Sequence, residues 1–127
     1  MRARTPEELP RVFEEHFNAG DVAGLMAEYY AQDATYAPLP GHIVSGDAAV
    51  ADAIGSLMSL GHAMDVSVRH VLRRGDTALL VVDWEIPTLG MSGTATDVAQ
   101  VQEDGTWRCV LDNPHGGARE VAGMPPA

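Results

Sequence analysis

The sequence predicts an α+β fold in which three helices are followed by an antiparallel sheet of four strands. Apolar residues recur with a helical period of about 3.6 before Met64 and alternate with a period of about 2 after it. The chain has 127 residues, of which 46% are hydrophobic, so it has the size and composition of one globular domain. We expect this domain to span residues 1–127, with a core over residues 6–115 and an extended tail over residues 116–127. The helices should cover one face of the sheet.

The charge and the apolar pattern of the sequence argue against two classes of binding partner, nucleic acids and membranes. The net charge is −10 and no lysine is present, so no basic run can neutralise the phosphates of a nucleic acid. No apolar run reaches the roughly 18 residues of a membrane span, and the N-terminus lacks the apolar core of a signal peptide. We therefore expect neither a nucleic-acid nor a membrane partner, and a cytoplasmic location. No histidine pair has metal-ligand spacing and no phosphate-binding glycine loop is present, so we expect no metal and no cofactor.

The first helix begins at a capping signature. Thr5 precedes Pro6 and Glu8, which is the arrangement of a capping box with proline at the first helical position. Gly20 predicts the helix end, because glycine readily adopts the left-handed conformation found there. The apolar stripe of this helix is Leu9, Val12, Phe13, His16 and Phe17.

Two further helices are predicted by the same kind of signal. Asp21 is the expected N-cap of a short second helix, and residues 45–47 are expected to begin a third helix that ends at Gly61. A short strand over residues 33–36 and a loop over residues 38–41 separate the two helices. Their apolar faces are Val22, Leu25, Met26, Tyr29 and Tyr30 in the second and Val50, Ile54, Leu57 and Met58 in the third.

The predicted sheet has strands over residues 64–72, 77–86, 91–102 and 106–113. Its register follows from the turns between the strands. If Asp104 and Gly105 form a two-residue turn between the last two strands, two acids, Asp97 and Asp112, face each other. The other predicted pairs are Ala99 with Val110, Val101 with Arg108 and, across a four-residue turn at residues 87–90, Leu80 with Asp97, Val82 with Ala95 and Ile86 with Met91.

These pairings place two acids on an otherwise apolar sheet face. A buried acid is costly unless it is paired, neutral or functional, so Asp97 and Asp112 are the candidate catalytic residues. Two structural alternatives remain open: Asp97 is paired with Arg108, or Asp112 is turned to solvent at Asn113. The small residues beside Asp97 leave space, which indicates a pocket. The residues predicted on this face are Leu80, Val82, Trp84, Ala95, Asp97, Ala99, Val110 and Asp112.

The opposite sheet face is also apolar. In a monomer that buries only one side of its sheet, the other side is expected to be polar. We therefore expect a homodimer that covers the outer face. The residues predicted there are Leu79, Val81, Trp107, Cys109 and Leu111.

Four short motifs occur in a characteristic order: GD after the first helix, DATY after the second, SGDAAV at the start of the third, and EDGTWRCVLDNP at the end. Together they resemble the nuclear transport factor 2-like superfamily, in its SnoaL-like and ketosteroid-isomerase-like branch, over about residues 7–116. The resemblance implies a cone-shaped α+β barrel of the cystatin-like kind. In this fold a curved antiparallel sheet wraps around the N-terminal helices, with a ligand pocket at the open end and usually a homodimer.

The resemblance also implies which residues of this chain stand at the catalytic positions of related enzymes. Asp97 occupies the position of the protonated acid of ketosteroid isomerases. Phe13 stands at the position of their oxyanion-hole tyrosine, and Ala37 or Pro38 at that of their base, so steroid isomerisation is not expected. Limonene-epoxide hydrolases need an arginine where this chain has Ala95. SnoaL-like cyclases combine an aspartate acid/base with a pocket histidine, which this sequence is able to supply.

Two functions remain open at this point. The first is a cofactor-free isomerase or cyclase that performs acid/base chemistry on an apolar, carbonyl-bearing substrate. The second is a non-catalytic ligand-binding or dimerisation module with a vestigial pocket. His42, His70 and His115 are each either a pocket base or an ordinary histidine. The predicted pocket walls are Phe13, Tyr36, His42, Met58, Leu80, Val82, Trp84 and Val110.

Overall fold

Three N-terminal helices cover one face of a six-stranded curved sheet in the computed structural model, which describes residues 1–117. The strand order is β2-β1-β6-β5-β4-β3, in which β1 and β6 are parallel and all other neighbours are antiparallel. The predicted tail lies almost entirely outside the described residues. The helices are α1 (Leu9–Asn18), α2 (Val22–Glu28) and α3 (Asp47–Met58). The strands are β1 (Tyr30–Leu39), β2 (His42–Ser45), β3 (Asp65–Arg74), β4 (Thr77–Ile86), β5 (Met91–Val101) and β6 (Trp107–Asp112).

The predicted helix starts are confirmed. The Glu8 carboxylate accepts a hydrogen bond from the Thr5 N–H at 3.1 Å, and a 3-10 turn over Pro6–Glu8 leads into α1. Asp21 caps α2 by accepting from the Gly24 N–H at 2.8 Å. The third helix begins at Asp47, and its buried residues are Val50, Ile54 and Met58.

The region between α2 and α3 differs from the prediction. Tyr30 belongs to a ten-residue strand, β1, and not to the second helix, and the predicted loop over residues 38–41 contains the end of β1 and the start of β2. Asp33 has a φ of 59°, so the strand is irregular there and its pairing with β6 shifts. This irregularity breaks the alternation of side chains along the strand. The strand instead depends on pairing with β6, which lies far along the chain.

The register of β4 against β5 is confirmed. Leu80 pairs with Asp97, Val82 with Ala95, and Ile86 with Met91. A 3-10 turn over Pro87–Leu89 joins the two strands.

The turn between β5 and β6 has three residues and not the predicted two. Gln102 N–H donates to the Thr106 carbonyl at 2.8 Å, and Gly105 has a φ of 81°. The Asp104 carboxylate stabilises this form, because it accepts from the Thr106 N–H at 2.9 Å and from its hydroxyl at 2.6 Å. The longer turn changes the nearby pairs, so that Ala99 pairs with Cys109 and Val101 with Trp107.

A β-bulge in β6 then shifts the register by one residue, back to the predicted pairing. Val98 pairs with Leu111, so Val110 is the extra residue of β6. Beyond it, Thr96 N–H donates to the Asn113 carbonyl at 3.0 Å, which keeps Asp97 across from Asp112 as predicted. Trp107 and Cys109, predicted on the outer face, are instead buried in the core. Val110, predicted in the pocket, is the bulge residue.

Gly93 is a point of close approach in the sheet. A Cβ added there would lie 2.7 Å from the Trp84 indole, which is held by its Nε1–H donating to the Pro114 carbonyl at 2.7 Å. Gly55 in α3 is a useful contrast, because an added Cβ would meet its nearest neighbour, Val22, at an ordinary 3.6 Å.

We expect opposite effects on stability from the same substitution at these two glycines. Gly93→Ala should lower the free energy of unfolding by about 1–3 kcal/mol, because the indole must move. Gly55→Ala should raise it by about 0.5–1 kcal/mol through helix propensity. Urea denaturation of both variants measures this. Equal stability of the two variants would contradict the packing described around Trp84.

Candidate active site

A cavity of about 380 Å³ lies between the helices and the inner face of the sheet. This is within the range of small-molecule pockets, and most of its lining is apolar or aromatic. The polar side chains among its lining residues are Ser56, Asp97, Asp112, His115 and the hydroxyls of two tyrosines. The lining comprises Pro10, Phe13, Tyr29, Tyr36, Pro38, Leu39, Ala53, Ile54, Ser56, Leu57, Leu60, Met64, Val66, Val82, Trp84, Ile86, Met91, Ala95, Asp97, Asp112, Pro114 and His115.

Two buried carboxyl groups face each other in this cavity. Asp97 and Asp112 hydrogen-bond to each other across β5 and β6. Asp97 Oδ1 also accepts from the Asn113 N–H at 2.9 Å. Asp112 Oδ2 accepts from the Tyr30 hydroxyl at 2.5 Å. The pair is therefore held by donors from the backbone and from the core.

The environment of the pair favours one shared proton. Burial raises the pKa of Asp97 well above its usual range, and the neighbouring charge of Asp112 raises it further. Burial also raises the pKa of Asp112, while the hydrogen bonds from Tyr30 and Asp97 act in the opposite direction. Two adjacent carboxyl groups resist joint ionisation, and the pKa of Asp97 is raised the more strongly, so Asp97 is the acid of the pair and Asp112 the acceptor of its proton.

Aromatic side chains surround the pair. Phe13 packs edge-on against Tyr29 with ring centroids 5.1 Å apart, and Tyr29 packs edge-on against Tyr30 at 4.9 Å. Burial raises the pKa of Tyr29, Tyr30 and Tyr36, so all three stay neutral hydroxyl donors. Tyr29 and Tyr36 line the cavity itself.

His115 occupies the outer part of the cavity. Its Nε2 lies 3.2 Å from the Pro38 carbonyl, which only accepts hydrogen bonds, so Nε2 carries a hydrogen. In the neutral ring Nδ1 then keeps its lone pair. The ring packs edge-on against Trp84 at 5.6 Å. The histidine is thus held in one orientation with one nitrogen available as a base.

The structure divides the sequence-predicted site residues into two groups. Those that line the cavity are Phe13, Tyr36, Val82, Trp84, Asp97 and Asp112. Those predicted as pocket walls that do not line it are His42, Met58, Leu80 and Val110. His42 is exposed on β2, Met58 and Leu80 are buried in the core, and Val110 is displaced by its bulge.

The structure also places two residues, His70 and Arg108, for which the sequence analysis left alternatives open. His70 lies on the outer face of β3, paired with Val81, and Arg108 lies 3.4 Å from the Tyr30 carbonyl. Sequence reasoning missed Tyr30 as the partner of Asp112, because it placed that residue on a helix. The only sequence feature that could have pointed to this hydrogen bond is the pair of tyrosines, Tyr29 and Tyr30, directly after Glu28.

Metal-binding groups and membrane-spanning helices are both absent from the part of the chain that the structure describes. Within residues 1–117, no group of three or more His, Cys, Asp or Glu side chains is arranged to hold a metal ion. No helix in that range has the length and apolar character needed to cross a membrane.

The chain belongs to the SnoaL-like domain family, whose model matches residues 10–110. Asp97 and most of the cavity lining fall within this match, while Asp112 lies two residues beyond its end. A search of curated proteins finds no match. The SnoaL-like, nuclear transport factor 2-like fold indicates a ligand-binding or isomerase-type domain.

Solved structures show the same fold. A protein from Thiobacillus denitrificans, provisionally assigned as a calcium/calmodulin-dependent protein kinase type II association domain, is 26% identical, with a TM-score of 0.73 over 89% of this chain and 95% of that one. A provisional dehydratase of the nuclear transport factor 2-like family from Streptomyces avermitilis is 19% identical, with a TM-score of 0.69 over 82% and 87%. A nuclear transport factor 2-like superfamily protein from Salmonella enterica is 16% identical, with a TM-score of 0.67 over 94% of each chain.

The raised pKa of Asp97 predicts a pH-dependent stability. The folded protein keeps a proton that the unfolded chain releases above its ordinary pKa of about 3.9, so the free energy of unfolding falls as the pH rises from about 4 to the folded-state pKa. Asp97→Asn removes this titration and preserves an acceptor for Asn113 and a donor for Asp112. Relative to the variant, the wild type should lose about 1.4 kcal/mol per pH unit over this window.

Urea denaturation at a series of pH values measures the difference. Asp52→Asn, which removes an exposed carboxylate of α3, is the matched control for net charge. Wild-type and Asp97→Asn curves that run parallel above pH 4 would show that Asp97 is ionised in the folded protein.

Proposed function

We propose that this protein is a cofactor-free enzyme that performs acid/base chemistry, of the isomerase or cyclase type, on an apolar carbonyl-bearing molecule. The proposal depends on one observation: a hydrogen-bonded pair of buried carboxyls, Asp97 and Asp112, faces an otherwise apolar cavity. A protonated acid in such a place is suited to donate a hydrogen bond to a carbonyl oxygen and to stabilise the negative charge that develops on it.

The mechanism needs one proton donor and one base. The substrate carbonyl oxygen accepts a hydrogen bond from the protonated Asp97. His115 Nδ1 removes a proton from the carbon next to the carbonyl, and the electron pair of that C–H bond moves into the enolate, whose oxygen Asp97 stabilises. The imidazolium of His115 then returns the proton to carbon at the same or a conjugated position, or the enolate carbon attacks a second carbonyl in a cyclisation. When the substrate is bound, its carbonyl oxygen replaces Asp112 as the acceptor of the Asp97 proton, and Asp112 keeps its hydrogen bond from the Tyr30 hydroxyl.

The first test uses proton exchange, because it does not require knowledge of the natural substrate. Apolar cyclic ketones are incubated with the protein in deuterated buffer, and exchange next to the carbonyl is followed by NMR. We expect Asp97→Asn and His115→Gln each to reduce enzyme-dependent exchange about a hundredfold or more.

His62→Gln is the matched control, since His62 is outside the cavity lining and contacts the Thr88 hydroxyl at 2.7 Å. Exchange that is equally fast in Asp97→Asn and wild type would refute the assignment of the acid.

A second candidate function is non-catalytic ligand binding. It is favoured by Phe13, Ala37 and Pro38, which supply no titratable group where ketosteroid isomerases have a tyrosine and a base. The same experiment separates the two functions. Ketones that bind the cavity without any enzyme-dependent exchange would identify a binding module.

We further propose that the protein forms a homodimer through the outer face of its sheet. Support comes from a row of apolar residues that crosses four strands: Leu72 pairs with Leu79, Leu79 with Val98, and Val98 with Leu111. Leu72 and Leu111, at its two ends, are among the exposed large apolar residues. A second copy with the same row would cover it symmetrically. Trp107 and Cys109, which the sequence predicts on this face, are buried in the core and are not part of the row.

Substitution at the row should produce monomers. We expect Leu72→Arg to shift the sedimentation coefficient to that of a monomer at micromolar concentration, because it places a charge in the interface. Leu60→Arg is the matched control, since Leu60 is as exposed as Leu72 and lies at the cavity. A wild type that sediments as a monomer would refute the proposal.

A further inference from the structure

We propose that Trp84 is a positioning residue that holds His115 in the orientation needed for proton transfer. Its indole N–H acts on the turn that carries the histidine, and its ring acts on the imidazole itself. This inference rests on the proposed function, because it takes His115 as the base, and it adds a residue that acts through that base.

His115 lies on a tight turn beyond the end of β6. The Gly116 N–H donates to the Asn113 carbonyl at 3.1 Å, so residues 113–116 form a β-turn with Pro114 second and His115 third. Asparagine, proline and glycine are favoured at the first, second and fourth positions of the commonest turn type. The local sequence therefore favours a compact turn with the histidine at its corner.

Two backbone hydrogen bonds attach the ends of this turn to β5. The Asn113 carbonyl accepts from the Thr96 N–H at 3.0 Å, and the Gly117 N–H donates to the Thr94 carbonyl at 2.9 Å. Neither bond reaches the two residues at the corner. The direction of the histidine side chain therefore depends on a contact with the corner itself.

The indole of Trp84 supplies that contact. Its Nε1–H donates to the Pro114 carbonyl at 2.7 Å, and its ring packs edge-on against the His115 imidazole with centroids 5.6 Å apart. Because the peptide group is planar, holding the Pro114 carbonyl also fixes the direction in which His115 leaves the turn. In this orientation His115 Nε2 lies 3.2 Å from the Pro38 carbonyl.

Gly93 allows the indole to reach the turn. Trp84 pairs with Gly93 across β4 and β5, while the turn follows β6, so the ring has to cross the neighbouring strand. A Cβ added at Gly93 would lie 2.9 Å from the indole Nε1, the atom that donates to Pro114. The glycine therefore leaves room for the donor that holds the turn.

The first measurement determines the orientation of the histidine without any substrate. In the wild type, ¹⁵N NMR at a pH where the ring is neutral should show one tautomer of His115, with the hydrogen on Nε2. Trp84→Phe keeps an aromatic ring and removes the indole N–H, so the turn moves relative to Pro38. The ¹⁵N shifts of the two ring nitrogens should then approach each other. Wild-type shifts in Trp84→Phe would overturn the proposal.

The second measurement tests the hydrogen bond with Trp84 in place. Trp107→Phe leaves Trp84 as the single tryptophan of the chain, so the remaining indole N–H signal belongs to it. That hydrogen should exchange with deuterated solvent at least about tenfold more slowly than in free tryptophan, because it is hydrogen-bonded. Exchange as fast as in free tryptophan would overturn the proposal even if Trp84→Phe does not fold.

Proton exchange of the ketones provides a third test. Trp84→Phe should lower kcat about tenfold or more and change KM less than about threefold, because a displaced base slows proton transfer while the aromatic wall remains. Trp107→Phe is the matched control, since it removes the same atoms at the opposite end of β6, where Arg73 lies over the ring at 4.8 Å. A raised KM with unchanged kcat would show that Trp84 is only a cavity wall and would overturn the proposal.

Failure of the proposed function is distinguishable from failure of this inference. If the wild type exchanges no substrate protons, the proposed function fails, and the ¹⁵N comparison still decides whether Trp84 orients His115. If His115→Gln is inactive while Trp84→Phe keeps the wild-type shifts and turnover, the proposed function stands and the role of Trp84 fails.

Discussion

The bulge at Val110 determines which side chains of β6 face the interior. On the turn side of the bulge, Trp107 and Cys109 point into the core beside Val101 and Ala99. Strict alternation would continue with Leu111 inside and Asp112 outside. One extra residue reverses the order, so Leu111 is exposed and Asp112 is buried. A single strand thereby contributes apolar residues to the core, one acid to the cavity and one leucine to the outer face.

The position of Asp112 has an energetic cost that its neighbours offset. Burial of two adjacent carboxyls is unfavourable unless one is neutral and the other is hydrogen-bonded. The Tyr30 hydroxyl donates to Asp112 and the Asn113 N–H donates to Asp97, and the pairing of β1 with β6 brings Tyr30 close to Asp112. The parallel pairing therefore both extends the sheet and supports the acid pair. The burial of two acids costs stability, and this cost is consistent with the function proposed for the site.

The fold shared with the SnoaL-like family explains the cavity but not its chemistry. Structures only 16–26% identical to this chain have the same architecture, so the fold tolerates extensive change in sequence. In this chain the lining combines one acid pair and one histidine with apolar and aromatic walls.

Local signals determined much of the fold. Capping residues fixed the starts of the helices, and the alternation of β4 and β5 fixed their register, including Leu80 beside Asp97. The opposition of Asp97 and Asp112 was predicted from a two-residue turn that does not exist. It holds because the three-residue turn and the bulge change the register by one residue in opposite directions. Local sequence did not show β2, the full length of β1, or Tyr30 as a partner of Asp112.

The sequence by itself thus determined the elements whose stability comes from near neighbours: helix caps, amphipathic stripes and the hairpin of β4 and β5. Only the tertiary structure decided the parallel pairing of β1 with β6, the inward turn of Trp107 and the support of Asp112 by Tyr30. Tyr30 and Asp112 are separated by 82 residues along the chain. Their contact depends on how distant strands meet, and no local pattern of side chains encodes that arrangement.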